Sequence, residues 1–91
     1  MATLLVSYRL VVSPTYAQHT GFLAALKSGA GGCVRLSEGS YVMDTDQSPT
    51  AVYEMLKRYV HQNDLLLVLR VSRPYFGQHA IDVVEWLNAR L

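Results

Sequence analysis

The chain has 91 residues, which suffice for one domain with a single hydrophobic core. Only 16% of the residues are charged and the formal net charge is +1, which excludes nucleic-acid binding through a strong overall positive charge. Hydrophobic residues make up 51%, a high share for a small domain, and predict an apolar patch of the kind that forms oligomer interfaces. The single cysteine, Cys33, excludes an internal disulfide and favours a reducing cytoplasm, and we expect neither a signal peptide nor a membrane span.

The first predicted element is a strand from Leu4 to Val12, which should lie inside the sheet because it is largely apolar on both faces. Its even positions are all apolar or aromatic and should face the helices. Its odd positions are mixed and include Ser7 and Arg9. A guanidinium buried alone would be very costly, so Arg9 must meet an anion, a carboxylate or water.

The rest of the chain alternates between helix-like and strand-like segments, separated by turns that contain glycine or proline. In chain order, we expect a helix that starts at Ser13-Pro14 and stops in the glycine cluster at 29–32, strands from Cys33 to Ser37 and from Ser40 to Thr45 joined by a turn at Glu38-Gly39, a helix from Ser48-Pro49 to Val60, a strand from Leu65 to Val71, and a helix from Ala80 to Leu91. Both Ser-Pro pairs fit the pattern in which serine caps a helix and proline takes its first position.

This order of elements predicts an α+β, ferredoxin-like βαββαβ fold in one domain, residues 1–91, with an extra C-terminal helix. Its four-stranded antiparallel sheet should have two helices on one face and an open face on the other. We place these residues on the open face: Leu5, Ser7, Arg9, Val11, Leu66, Val68 and Arg70. Five of them form the predicted homodimer face: Leu5, Ser7, Arg9, Leu66 and Val68.

Several segments, in this order and spacing, are similar to those of a known family: Leu5-Val6-Ser7-Tyr8, Ala25-Leu26-Lys27-Ser28, Leu36-Ser37-Glu38, Tyr41-Val42-Met43-Asp44-Thr45, Asp64-Leu65-Leu66-Leu67-Val68 and Glu85-Trp86-Leu87. The chain resembles the small CRISPR-associated endonuclease-like proteins of the spacer-acquisition complex, in particular their short, stand-alone relatives often labelled SinR-like. The resemblance implies a ferredoxin-like homodimer. Nuclease-active members are thought to hold a divalent metal between aspartates of the two first strands.

This chain departs from that family pattern at the residue that matters for catalysis. Arg9 stands where the pattern has aspartate, and a guanidinium cannot bind a hard cation. We therefore expect a catalytically inactive relative that binds no metal or other cofactor and acts as a cytoplasmic binding or assembly module. Its expected ligand is RNA, DNA or a nucleotide phosphate, held by Arg9, Arg35, Arg70 and Arg73. For Arg9, the alternative is an ion pair with a carboxylate of the partner subunit.

Two other functions remain open at this stage. A magnesium-dependent endonuclease could use other residues, with Ser7, Ser13, Asp44 and Asp46 as weak catalytic candidates. A protein-binding component of a toxin–antitoxin or phage-defence system would need no catalytic residues.

Overall fold

The computed structural model describes residues 2–11, 16–74 and 77–91, which form one antiparallel sheet and three α-helices. The elements are β1 (Ala2–Arg9), α1 (Ala17–Ser28), β2 (Gly32–Ser37), β3 (Ser40–Thr45), α2 (Pro49–Leu56), a 3-10 helix (Lys57–Tyr59), β4 (Leu65–Val71) and α3 (Ile81–Arg90). The strand order is β2-β3-β1-β4, so β1 lies inside the sheet and β4 forms one edge. The predicted ferredoxin-like α+β fold with an extra C-terminal helix is confirmed.

The predicted bounds of helices and strands agree best with the structure where a local sequence signal determines them. The Ser48 hydroxyl accepts a hydrogen bond from the Ala51 N–H at 3.1 Å, and Pro49 is the first residue of α2, as predicted. The strand β1, by contrast, ends at Arg9 rather than Val12, because the Val11 N–H donates to the Asp64 carboxylate at 2.7 Å instead of joining the sheet. The helix α1 begins at Ala17, and the start predicted at Ser13-Pro14 lies outside the described residues.

The main core lies between the sheet and the helices α1 and α2. The even positions of β1, Leu4, Val6 and Tyr8, are buried there, as their uniform apolar character predicted. The other buried members of this core are Phe22, Leu26, Tyr41, Met43, Val52 and Leu56. Each large apolar side chain that is fully buried contributes about 1.5–3 kcal/mol, so this layer holds the fold together.

A third helix covers half of the second face of the sheet. The α3 residue Arg90 is ion-paired to Asp44 of β3, and His79, just before α3, hydrogen-bonds the Leu36 carbonyl of β2 at 2.7 Å. Val42 of β3 and Val83 of α3 are 2% and 4% exposed, although neither belongs to the main core. The face predicted to be open is therefore open only over β1 and β4.

The predicted facing of β4 is wrong. Leu66 is paired with Tyr8 and Val68 with Val6, and directly paired residues point to the same side of a sheet. Leu66 and Val68 therefore pack on the helix side, and Arg70 points the same way because it is paired with Leu4. The residues on the open face are instead Leu65, Leu67 and Leu69, which are 60%, 56% and 42% exposed.

Within residues 2–11, 16–74 and 77–91, no helix has the length and apolar character needed to cross a membrane.

Candidate anion-binding site

Three arginines line one concavity of about 250 Å³ at the end of the sheet where β1 begins and β4 ends. Arg70 lies near the end of β4, Arg73 follows that strand, and Arg90 is the last residue of α3. The hydroxyl-bearing residues Thr3 and Ser72 also line this concavity, which we call the arginine pocket. The described lining has no acidic side chain, so the pocket offers positive charge and hydroxyl groups to a ligand.

Contacts with α3 and β3 fix one wall of the arginine pocket. The Arg90 guanidinium lies 3.9 Å from the ring centre of Trp86, donates to the Trp86 carbonyl at 3.3 Å and pairs with the Asp44 carboxylate. Asp44 also accepts a hydrogen bond from the Thr3 hydroxyl at 3.3 Å. Arg90 is thus paired with Asp44, and Arg73 donates to the Asn88 carbonyl of α3 at 3.5 Å, so contacts with α3 and β3 position both guanidinium groups.

The other two predicted arginines lie elsewhere. Arg35 is paired with Tyr41 and so lies on the helix side, where its Nε donates to the Ser37 carbonyl at 3.1 Å. The pKa of the buried Tyr8 phenol is raised, first by burial and then by the nearby Tyr41, and Arg35 opposes this shift. Arg35 therefore lies near the core tyrosines Tyr8 and Tyr41 and is not part of the lining of the arginine pocket.

Arg9 lies where the sequence places it. It is exposed, it is paired with Leu65 on the open face, and the backbone N–H of its neighbour Tyr8 donates to the Gly39 carbonyl at 2.8 Å. Asp44 is far away, opposite Thr3 at the other end of β1. Among the described residues, no hydrogen bond or ion pair holds the Arg9 guanidinium.

Arg9 stands at one end of an apolar surface. This surface, which we call the leucine face, consists of Leu5, Ser7 and Arg9 of β1 and Leu65, Leu67 and Leu69 of β4. It replaces the predicted dimer face, from which Leu66 and Val68 are removed. Three exposed leucines in a row on one strand form the contiguous kind of patch that marks an interaction site.

The carboxylates suggested for a nuclease have different surroundings. Asp44 is bonded to Arg90 and Thr3, and Asp46, two residues later, is exposed. No three His, Cys, Asp or Glu side chains come together to hold a metal ion in the part of the chain that the structure describes. Ser7 belongs to the leucine face, and Ser13 lies outside the described residues.

A different carboxylate has a structural function. Asp64, just before β4, accepts hydrogen bonds from the backbone N–H groups of Val11 and His61, at 2.7 and 2.9 Å, and from the Gln18 amide at 2.9 Å. These bonds, led by that from His61, hold the pKa of the Asp64 carboxyl below its ordinary value. Asp64 therefore ties the segment after β1 to α1 and to the loop before β4.

Sequence reasoning missed two parts of these surfaces. Arg90 was assigned no function, although its position four residues after Trp86 places both side chains on one face of a helix. The exposed leucines were missed because β4 is apolar at both odd and even positions, so its alternation does not show which side faces the helices.

Comparison of the chain with protein-family models, with curated proteins and with solved structures finds no match. The resemblance to the CRISPR-associated family therefore stays a prediction from the sequence.

Proposed function

We propose that this chain is a homodimeric binding and assembly module that holds phosphate groups of a nucleic acid or a nucleotide, as a catalytically inactive relative of the CRISPR-associated family. The observation that carries the proposal is the arginine pocket, where Arg70, Arg73 and Arg90 line a concavity without an acidic side chain. Guanidinium groups match phosphate oxygens in charge and in fork geometry. The Ser72 hydroxyl adds a donor of the kind that phosphate sites use.

The same arrangement supports binding rather than catalysis. Asp44, which pairs with the pocket residue Arg90, also accepts a hydrogen bond from Thr3. A metal-dependent nuclease needs carboxylates free to coordinate the ion, and the neighbourhood of the pocket supplies cations instead. We therefore expect no cleavage of RNA or DNA with magnesium or manganese.

The leucine face supports the dimer. In a two-fold dimer, the same patch of each copy meets its counterpart, and burying the six exposed leucines of two copies would favour association. The leucine face carries no carboxylate, so a second copy brings another Arg9 rather than an acid. A phosphate between the two guanidinium groups would neutralise them, which favours an external anion over an ion pair between subunits.

The binding part is tested by fluorescence anisotropy with labelled single-stranded RNA, single-stranded DNA and duplex DNA, between about 50 and 200 mM salt. We expect salt-sensitive binding. The double change Arg70→Ala with Arg73→Ala should weaken binding, and it should reduce the slope of log affinity against log salt concentration by the equivalent of up to about two phosphate contacts. Arg35→Ala is the matched control, since this exposed arginine lies outside the pocket. Binding that is absent from all three probes, or that the double variant retains in full, would refute the phosphate-binding function.

The assembly part is tested by light scattering at micromolar concentration. The unchanged chain should have the mass of a dimer, and Leu67→Asp should give a monomer because it places a charge in the middle of the leucine face. Ile81→Asp is the control, since it replaces another exposed aliphatic residue, 76% exposed on α3, by the same charged residue. A monomeric wild type, or a Leu67→Asp variant that remains dimeric, would contradict the proposed interface.

A further inference from the structure

A groove runs between the helix α2 and the edge strand β4, on the helix side of the sheet. It consists of two concavities of about 240 and 550 Å³ that share Tyr53 and Leu66 in their lining. The smaller one extends towards Pro49 and Val68 and is mainly apolar. The larger one extends past the 3-10 helix to His61 and Gln62. We call the two together the edge groove.

The strand beside this groove is a sheet edge that no other strand of the described residues covers. β4 is paired only with β1 among the described strands, so alternate residues of β4 direct their N–H and C=O groups outward without a strand partner. Proteins usually protect such edges with charges, proline or a bulge. β4 is uncharged from Leu65 to Leu69, and its register with β1 is unbroken. At the opposite edge, β2 carries Arg35 and an irregular register after it.

The two ends of the edge groove differ in charge. Lys57 and Arg58 line the end beside the start of β4, together with His61 and with Asp64, whose carboxylate accepts hydrogen bonds from the backbone N–H groups of Val11 and His61. Lys57 is paired with Glu54 at 2.6 Å, whereas no described side chain pairs with Arg58. A ligand that enters the groove would therefore meet an apolar floor at one end and an available guanidinium at the other.

We infer that the edge groove binds an extended peptide segment of another protein, which adds to β4 as a fifth strand. Antiparallel addition continues the pattern of this sheet and is favoured per residue, so the C-terminal end of the peptide lies at the start of β4. Every second side chain of the peptide faces the helix side, where it packs along the groove against Tyr53, Leu66 and Val68 and is apolar. The C-terminal end carries Asp, Glu or a free carboxylate that pairs with Arg58.

A nucleic acid fits the edge groove less well. Apart from the His61 imidazole, Tyr53 is the only aromatic ring in the described lining, whereas single strands bind on successive stacking platforms. The outward backbone groups of β4 match the hydrogen-bonding pattern of a peptide strand and not that of a base or a phosphate.

The test is a selection from a phage-displayed library of random peptides about ten residues long, a length that covers a strand of ordinary size. The full chain serves as bait, and the enriched peptides are synthesised and titrated by anisotropy. We expect apolar residues at alternate positions followed by an acidic C-terminal end. Arg58→Glu should weaken binding at least about tenfold, whereas the control Lys27→Glu, an exposed lysine on α1, should not.

A second measurement changes the ligand and leaves the protein intact. In a series of peptides, each methylated at one backbone nitrogen, methylation at every second position should abolish binding, because those N–H groups face β4. Methylation at the positions in between should leave binding intact. An absence of enriched peptides, a uniform response to methylation, or unchanged binding to the Arg58→Glu variant would overturn the inference. A labelled single-stranded oligonucleotide that loses affinity for Arg58→Glu, with no peptide enriched, would assign the groove to nucleic acid instead. None of these outcomes depends on the arginine pocket.

Discussion

The three hydrogen bonds to Asp64 give a prediction about stability that can be worked out from geometry. Oδ1 accepts from Val11, and Oδ2 accepts from both His61 and Gln18. A hydrogen bond to a charged group contributes about 1.5–3 kcal/mol when well shielded, and less here because two of the three bonds are exposed to solvent. We therefore expect Asp64→Ala to lower the free energy of unfolding by about 2 kcal/mol in total.

The variant Asp64→Asn removes the negative charge of this side chain and keeps its shape. The asparagine oxygen can still accept from Val11, but its NH₂ group cannot accept from His61 or Gln18. We expect a loss of about 1 kcal/mol at pH 7, measured by urea denaturation, with Glu38→Gln as the control in an exposed turn.

The pH dependence follows from the lowered pKa of Asp64. A carboxyl whose pKa is lower in the folded state than in the unfolded state stabilises the fold above the unfolded pKa, and this contribution disappears as the pH falls through the folded pKa. The difference between wild type and Asp64→Asn should thus be constant from about pH 5 to 8 and shrink below the ordinary value of 3.8. A difference that persists undiminished at about pH 2.5, or that is absent at pH 7, would refute this account of Asp64.

Two further predictions concern close contacts. A Cβ atom at Gly39 would lie 2.6 Å from the Tyr8 carbonyl oxygen, so Gly39→Ala should cost about 1–3 kcal/mol, measured from the urea midpoint. Gly77→Ala, where the described residues place no atom within 4 Å of the new methyl group apart from chain neighbours, should cost nothing, and equal midpoints for the two variants would contradict the prediction. Arg90→Ala should lower stability by about 1 kcal/mol and change the fluorescence of Trp86, the single tryptophan, because the guanidinium no longer covers the indole ring. An unchanged emission spectrum would show that α3 does not hold Arg90 against Trp86 in solution.

Local patterns in the sequence predicted most of the fold. The bounds of β3 and β4, the Ser48 cap and the buried face of β1 follow from turn residues and from alternation over a few positions. The contacts of α3 did not follow, because an apolar stripe shows that a helix packs and does not show which face of the sheet it packs against. The position of α3 depends instead on long-range contacts such as Arg90 with Asp44.

The candidate site could be predicted only in part, because some of its residues are distant from the others in the sequence. Arg70 and Arg73 are close in sequence and could be recognised as a cationic pair before the structure was known. Arg90 joins them only because α3 returns across the sheet, so no local pattern could add it. The assignment of Leu66 and Val68 to the open face failed because the pairing register, and not the apolar run itself, decides which leucines meet the helices.

The leucine face and the edge groove use different sides of the same strand, and this separation makes both proposals compatible. The side chains of the exposed leucines of β4 point away from α2, whereas those of Leu66 and Val68 point towards it, although Leu67 also forms part of the groove lining at the strand edge. A strand added at the β4 edge would lengthen the sheet and widen the leucine face rather than cover it. Peptide binding should therefore leave the dimer intact, and it could strengthen dimerisation by adding apolar side chains to the shared face. Dissociation of the dimer by saturating peptide would show that the second copy and the peptide compete for the edge of β4, and that the dimer forms there and not on the leucine face.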